Sequence, residues 1–249
     1  MNKQHDTGLR RVGLARALSK LGLCSRSRAA ELVRSGEVRL NGTVRHDPET
    51  PVRLGKDHIE IAGKTVKAGF RIYLMMNKPR GVVTTASDEK GRETVYAYLD
   101  ESLPWVAPVG RLDKASEGLL LLTNDSEWAG TVTAPESQLD KTYHVQVGTV
   151  AGAELLEAMV KGVKSNGEVL RVKSAGVLRG GEKNSWLEVV LDEGRNRQIR
   201  RILEAMQIEV MRLVRVSVGP LRLGDLKKGE VRRLRLEEKA AVDRAMKSV

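Results

Sequence analysis

The sequence contains little cysteine, histidine or aromatic residue, and each shortage excludes a class of protein. Its single cysteine, Cys24, excludes an internal disulfide framework. The four histidines are His5, His46, His58 and His144. None has a cysteine partner at zinc-ligand spacing, so we expect no metal site. Aromatic residues make up only 3% of the 249 residues, and aliphatic side chains must therefore fill the core.

Long hydrophobic runs are also absent. The longest purely aliphatic run, Leu119 to Leu122, is far too short to cross a bilayer. The first nine residues are polar and lack the apolar stretch of a secretory signal. We therefore expect no membrane association and a cytoplasmic protein.

Positive charge is plentiful, because 43 Lys and Arg residues against 32 Asp and Glu give a net charge of +11. Residues 1–70 hold 14 basic and 7 acidic residues, so +7 of this excess lies in less than a third of the chain. Clustered cations favour a polyanionic partner, since they displace the counterions condensed on phosphates. The alternative is an ordinary solvated basic surface.

The first 66 residues carry signals for two helices and a hairpin. Apolar residues at helical spacing predict an amphipathic helix from Leu9 to Leu21. Ser25 is the predicted N-cap of a second helix, which Gly36 ends. Asn41 and Gly42 lie between two short β-prone segments, a strong hairpin signal.

The same region resembles a known RNA-binding module. The run from Leu23 to Ala30, followed by Gly36, Val38, Asn41 and Gly42, is similar to the domain named after small-subunit ribosomal protein S4. The resemblance implies an RNA-binding domain over residues 9–66.

Three basic residues of this domain are candidates for RNA contact. Arg26 and Arg28 stand near the start of the second predicted helix, and Lys20 precedes it. Cations and helix N-termini both attract phosphate, so these residues predict a phosphate-binding face. The alternative is a solvated helix surface.

Residues 67–71 are predicted to form a linker, and a larger domain follows over residues 72–236. Its predicted strands are Ile72–Met76, Tyr143–Val147, Trp186–Leu191 and Val214–Val218, and its longer predicted helices are Gly152–Val163 and Arg195–Met206. In the second of these helices an apolar stripe leaves Arg197 and Arg201 outward and Arg200 on the flank. Many strands with few helices predict an α+β fold with a largely antiparallel sheet.

The most informative stretch of this domain runs from Gly110 to Gly118, directly before the leucine run. It places Asp113 at the edge of a predicted buried strand, where a catalytic carboxylate could be presented. Glu117, four residues later, could form an acid/base pair with it, but the sequence favours a solvated charge. We find no glycine-rich phosphate loop, so the residues suit a reaction with a nucleophile and no cofactor.

Four motifs in order resemble the RsuA/RluB/RluE/RluF branch of the pseudouridine synthases. They are Asn77–Gly81, Gly110–Asp125, Lys141–Tyr143 and Glu193–Arg201. The resemblance implies that a uracil base in RNA is detached from its ribose, turned and rejoined through C5 in place of N1, without a cofactor. It does not settle whether the aspartate first bonds the sugar or the base.

The resemblance also implies roles for individual residues. Asp113 matches the catalytic nucleophile, and Tyr143 matches the tyrosine that packs on the flipped base. Arg200 matches the arginine that pairs with the aspartate. Arg111 and Lys78 are assigned to substrate binding, with Lys78 supporting the active-site loop or backbone.

The expected partner is ribosomal RNA, with a target uridine in a loop or junction, because an RNA duplex hides its bases. Within the branch the sequence is most similar to the type that modifies large-subunit rRNA. An assembling ribosomal subunit is a second possible partner. The alternatives are small-subunit rRNA as substrate, or a non-catalytic ribosome-assembly factor. We expect a monomer with a basic tail at residues 237–249, for which the sequence leaves both a helix and disorder open.

Overall fold

The computed structural model describes residues 11–67, 69–86 and 88–247, which group into two compact units. The first holds the described residues up to Ile72 with Asp100–Ala107 and Thr123–Ser126. The second holds Tyr73–Leu99, Pro108–Leu122 and the chain from Glu127 onward. In the described ranges no helix has the length and apolar character needed to cross a membrane.

The first unit packs two helices against short strands. Its elements are β1 Val12–Gly13, α1 Leu14–Lys20, α2 Arg26–Arg34, β2 Val38–Leu40, β3 Thr43–Val44, β4 Pro51–Val52, β5 Ile59–Ile61 and β6 Lys64–Thr65. Strands in the order β3-β2-β5-β6 form one sheet, and β1 pairs with β4. The core buries aliphatic residues of both helices and of the sheet, including Leu14, Leu18, Val33, Val38 and Val52.

Most elements of this unit follow from local signals in the sequence. The Ser25 side chain accepts a hydrogen bond from the Arg28 backbone N–H at 3.1 Å, which confirms the predicted cap of α2. Asn41 and Gly42 turn the predicted hairpin with φ of 51° and 80°. The first helix begins at Leu14 rather than Leu9, because the residues just before it pair as a strand with β4. Residues 9 and 10 lie outside the described residues.

The second unit is built on a nine-stranded sheet and a separate two-stranded sheet. The eleven strands described in this unit are β7 Tyr73–Lys78, β8 Ala107–Val109, β9 Glu117–Thr123, β10 Lys141–Val147, β11 Val163–Ser165, β12 Glu168–Leu170, β13 Ser174–Gly180, β14 Ser185–Leu191, β15 Val210–Val218, β16 Leu221–Arg222 and β17 Val231–Arg233. Its helices are α3 Ser126–Thr133, α4 Ala153–Lys161, α5 Gln198–Ala205 and α6 Leu236–Lys247.

The sheet runs in the order β13-β14-β10-β15-β9-β7-β17, with β16 on β15 and β8 on β9, while β11 and β12 pair separately. Strand β15 pairs in parallel with β9, and the pairings of β10 with β14 and β15, of β13 with β14 and of β17 with β7 are antiparallel. The predicted α+β class with a largely antiparallel sheet is confirmed.

The leucine run forms the buried strand that its sequence predicts, since every residue of β9 is buried. The strand meets β15 very closely at Gly118, which has a φ of +100°. A Cβ atom at this position would lie 2.2 Å from the Arg215 carbonyl oxygen. Only glycine fits this crossing without strain.

Two predicted elements differ from the structure. Helix α5 begins at Gln198 rather than Arg195, because Arg197 takes a left-handed conformation with φ of 51° at its N-cap. The C-terminal segment takes the helical alternative as α6, with Val242 fully buried in the core. It was expected to be basic, and this is wrong, because residues 237–249 carry three basic and three acidic residues. Residues 248 and 249 lie outside the described residues.

Candidate active site

A cavity of about 550 Å³ opens in the second unit, beside the turn that precedes β9. Four of the predicted site residues line it: Arg111, Asp113, Tyr143 and Arg200. They come from the turn, from β10 and from α5, so the fold brings together residues that are up to 89 positions apart. Lys78 is not among the lining residues.

Lys78 anchors the turn that carries Asp113. Its side chain is fully buried, and its ammonium donates hydrogen bonds to the carbonyls of Pro79, Asp113 and Ser116 at 3.0, 3.1 and 2.8 Å. Burial lowers the pKa of Lys78 to about 8, against the opposing effect of Asp113. All three hydrogen bonds go to backbone carbonyls, so Lys78 supports the loop here, and its assignment to substrate binding stays a prediction.

Arg200 holds the same turn from the other side. Its Nη2 donates to the Ala115 carbonyl at 2.9 Å. The predicted ion pair with Asp113 is not formed, since no oxygen of that carboxylate lies within 4 Å of the guanidinium in the described structure. Arg200 Nε is buried without a hydrogen-bond partner. Burial and the neighbouring Arg197 lower the pKa of Arg200, whereas the charge of Asp113 raises it.

Tyr143 lies on β10 and is half-buried, with its ring packed against the hydrophobic core. Its Cα partners are Val189 on β14 and Arg215 on β15. An aromatic ring fixed in the middle of a sheet presents a rigid surface to the cavity that holds Asp113.

The outer part of the cavity is basic and exposed. Arg111, Arg195 and Arg197 line it and are all exposed to solvent. Arg195 forms ion pairs with Glu193 and Glu168 at 3.0 and 2.8 Å. Arg111 and Arg197 form no such pair among the described residues. This rim can meet a polyanion entering the cavity.

The cavity has the size of a small-molecule site, and its polar groups converge on one carboxylate. The sequence profile of the RNA pseudouridylate synthases matches residues 72–205, more than half of the chain. The chain belongs to this family. Residues 12–59 match the S4 domain.

Individual relatives agree with this assignment. The chain is 36% identical over 223 residues to ribosomal large subunit pseudouridine synthase B of Bacillus subtilis, covering 89% of this chain and 91% of that protein. It is 40% identical over 220 residues to an uncharacterized RNA pseudouridine synthase of Rickettsia prowazekii, covering 87% and 91%. A crystal structure of a pseudouridylate synthase superimposes with a TM-score of 0.66 at 28% identity, covering 93% and 99%. The protein is therefore an isomerase that acts on RNA.

Two further cations, Lys141 and Arg215, line the cavity without a role assigned from the sequence, although Lys141 opens one of the four motifs. Lys141 lies two residues before Tyr143, so both side chains share one face of β10. Arg215 is the cross-strand neighbour of Tyr143 and is only 7% exposed. Burial and the charge of Arg215 lower the pKa of Lys141, against the opposing charges of Asp140 and Asp192. Alternation of side chains along the two predicted strands could have identified them. It places Lys141 on the same face as Tyr143, and Arg215 on the face opposite to Val214.

Glu117 was expected to be solvated, and this is wrong. It is only 2% exposed and accepts two hydrogen bonds from Arg212 at 3.1 and 3.0 Å. Lys228 pairs with it at 2.8 Å. Burial raises the pKa of Glu117, but the two cations outweigh it and the net shift is downward.

The predicted RNA face of the S4 domain is reached by solvent. Arg26 and Arg28 are exposed in the first turn of α2, and Lys20 is half-exposed at the end of α1. Arg28 pairs with Glu31 at 3.1 Å, and both side chains are 61% exposed. Such an exposed pair is weak, so Arg28 can exchange Glu31 for a phosphate at little cost.

Proposed function

We propose that this synthase converts a specific uridine of large-subunit ribosomal RNA to pseudouridine. The relative from Bacillus subtilis is named for the large ribosomal subunit and aligns over nearly the whole chain, which supports this substrate. The C1′–N1 bond breaks and a C1′–C5 bond forms, so the atoms balance without a cofactor. The target uridine is flipped out of a loop or junction into the cavity.

In this proposal Asp113 is the nucleophile. The observation that carries it is the double support of its turn, in which Lys78 holds the backbone carbonyl of Asp113 and Arg200 holds that of Ala115. A carboxylate fixed at a cavity wall can attack or stabilise an electron-poor sugar, as in retaining glycosidases. Attack on the base is the other route open to the same group.

The remaining roles follow from position. Tyr143 packs on the flipped base and helps remove its C5 proton. Arg200 acts on Asp113 through space and through the Ala115 carbonyl, rather than by a direct pair. Arg111, exposed at the rim, meets the phosphate of the target nucleotide or fills its vacated stack.

The S4 domain supplies a second contact with the RNA through Lys20, Arg26 and Arg28. Linking two contacts raises the effective concentration of the cavity near its target. The proposed domains are residues 9–66, a linker at 67–71 and a catalytic domain at 72–236, and both family matches lie inside them. A monomeric state, a cytoplasmic location and an assembling ribosomal subunit as partner stay predictions.

Asp113→Asn tests the proposed chemistry. The substitution keeps the shape of the side chain and leaves the phosphate contacts in place. We expect loss of tritium release from RNA labelled at uridine C5, with RNA affinity within a few-fold of wild type. Tritium release near the wild-type rate in the purified variant would refute the role of Asp113.

The substrate is tested by mapping pseudouridine in both ribosomal RNAs from cells with and without the gene. We expect one large-subunit position to disappear and to return with wild-type protein but not with Asp113→Asn. Loss of a small-subunit position instead would identify the other rRNA as substrate. No change in either rRNA would favour the alternative of a non-catalytic assembly factor.

A further inference from the structure

Lys141 and Arg215 are two cations at the floor of the active-site cavity, where the charges of Asp140 and Asp192 act on the pKa of Lys141 without forming an ion pair with it in the described structure. In the described structure neither forms an ion pair within 4 Å. Arg215 donates its Nε to the Leu119 carbonyl at 2.7 Å, and the rest of its guanidinium has no hydrogen-bond partner there. Both residues line the cavity that contains Asp113. A buried cation such as Arg215 is costly unless a negative group meets it.

The depth of these cations separates them from those of the rim. Arg215 is 7% exposed and Lys141 is half-buried, whereas Arg111, Arg195 and Arg197 are exposed. An RNA phosphate belongs to a continuous, hydrated backbone that cannot follow a single base into the cavity. Phosphates therefore bind at the exposed rim of the cavity, and the floor of the cavity faces the inserted base.

The floor cations also lie on the same sheet face as Tyr143. Arg215 is its cross-strand partner, and Lys141 is two residues before it on β10. Cross-strand neighbours have Cβ atoms about 5 Å apart. A planar base that packs its face on the Tyr143 ring therefore presents its edge to Lys141 and Arg215.

The reaction creates negative charge on that base. When the C1′–N1 bond breaks, its electron pair stays with N1, and the charge spreads over the two carbonyl oxygens of uracil. C5 then donates a pair to C1′, and the Asp113 carboxylate, where it has bonded to C1′, leaves with the electron pair of that bond. The C5 proton then leaves, and N1 takes up a proton. Cations placed in advance where charge develops are worth much more in a dry cavity than in water.

We propose that Lys141 and Arg215 bind the carbonyl oxygens of the detached uracil and stabilise it as an anion while it turns. This inference rests on the proposed use of the cavity by a flipped uridine. The site would take a planar monoanionic pyrimidine, in contrast to the phosphate-binding rim.

Lys141→Met tests the proposal in the full-length enzyme with its RNA substrate. We expect kcat to fall about 100-fold, with KM for RNA and the salt dependence of binding unchanged. Lys141→Arg keeps the charge and should recover most of kcat. Lys161→Met is the matched control, because Lys161 is an exposed lysine on α4 outside the cavity.

Two results would overturn the assignment. A rise in KM with a weaker salt dependence would make Lys141 a phosphate contact, and an unchanged kcat would remove it from the reaction. The Asp113→Asn variant separates failure of this inference from failure of the proposed function. Turnover in that variant would refute Asp113 as the nucleophile, whatever the effect of the Lys141 substitutions.

A second measurement needs no variant. 5-Nitrouracil is an anion at neutral pH, because the nitro group acidifies the ring, whereas uracil is neutral. Wild-type enzyme should be inhibited by 5-nitrouracil at a concentration at least about tenfold lower than by uracil. Equal inhibition by the two bases would contradict an anion-binding floor.

Discussion

Gly118→Ala tests how tightly the reactive turn is tied to β15. The new Cβ would lie 2.2 Å from the Arg215 carbonyl oxygen and 2.8 Å from its nitrogen. Restoring ordinary contact requires the two strands to separate by about 1 Å. Overpacking costs about 1 to 3 kcal/mol, and the positive φ of 100° adds about 1 to 2 kcal/mol for alanine. We therefore expect unfolding free energy to fall by about 2 to 5 kcal/mol.

The same shift should reduce activity in the molecules that remain folded. Displacement of β15 moves Arg215 relative to Asp113, and a misplacement of about 1 Å can cost about 100-fold in rate. Urea unfolding and single-turnover kinetics at a temperature where both proteins are folded measure the two effects. Gly130→Ala is the matched control, because its Cβ would meet nothing within 4 Å on helix α3. A Gly118→Ala protein as stable and as active as this control would refute the close crossing.

Two further predictions concern charge. Between its folded pKa of about 8 and its ordinary value of 10.5, Lys78 is neutral in the fold and protonated in the unfolded chain, so stability should rise with pH in this window. A neutral amine has only two N–H donors for three carbonyls, so kcat should fall over the same window. Lys78→Met should lack both trends in pH–rate and denaturation profiles, and persistence of both would be evidence against this origin. Arg26→Gln should weaken RNA binding and reduce the slope of log affinity against log salt by about 0.7 to 0.9 in a filter-binding titration, whereas an unchanged slope would remove Arg26 from the RNA face.

Elements with local signals were predictable from the sequence. Ser25 caps α2 through a hydrogen bond to a residue three positions away, and the Asn41–Gly42 turn needs only its own two residues. The leucine run from Leu119 to Leu122 is hydrophobic enough to require burial on both faces. The motif resemblance brought Asp113, Tyr143 and Arg200 to one site, and all three line the cavity.

What could not be predicted depends on contacts between distant residues. Glu117 is buried because Arg212 and Lys228, about 100 positions away, supply opposite charge. The sequence does not show that Arg200 reaches the Ala115 carbonyl instead of the Asp113 carboxylate, since the two acceptors are only two residues apart. Arg215 becomes a cavity residue only through the register of β10 against β15.

The reactive turn is held through backbone atoms. Lys78 and Arg200 bind carbonyl oxygens, which every residue possesses, and Gly118 fixes the strand by lacking a side chain. The exposed arginines of the rim take no part in this support, so their replacement leaves the nucleophile in place. A lineage of such enzymes can therefore change which RNA it recognises, one surface residue at a time, while its chemistry stays constant.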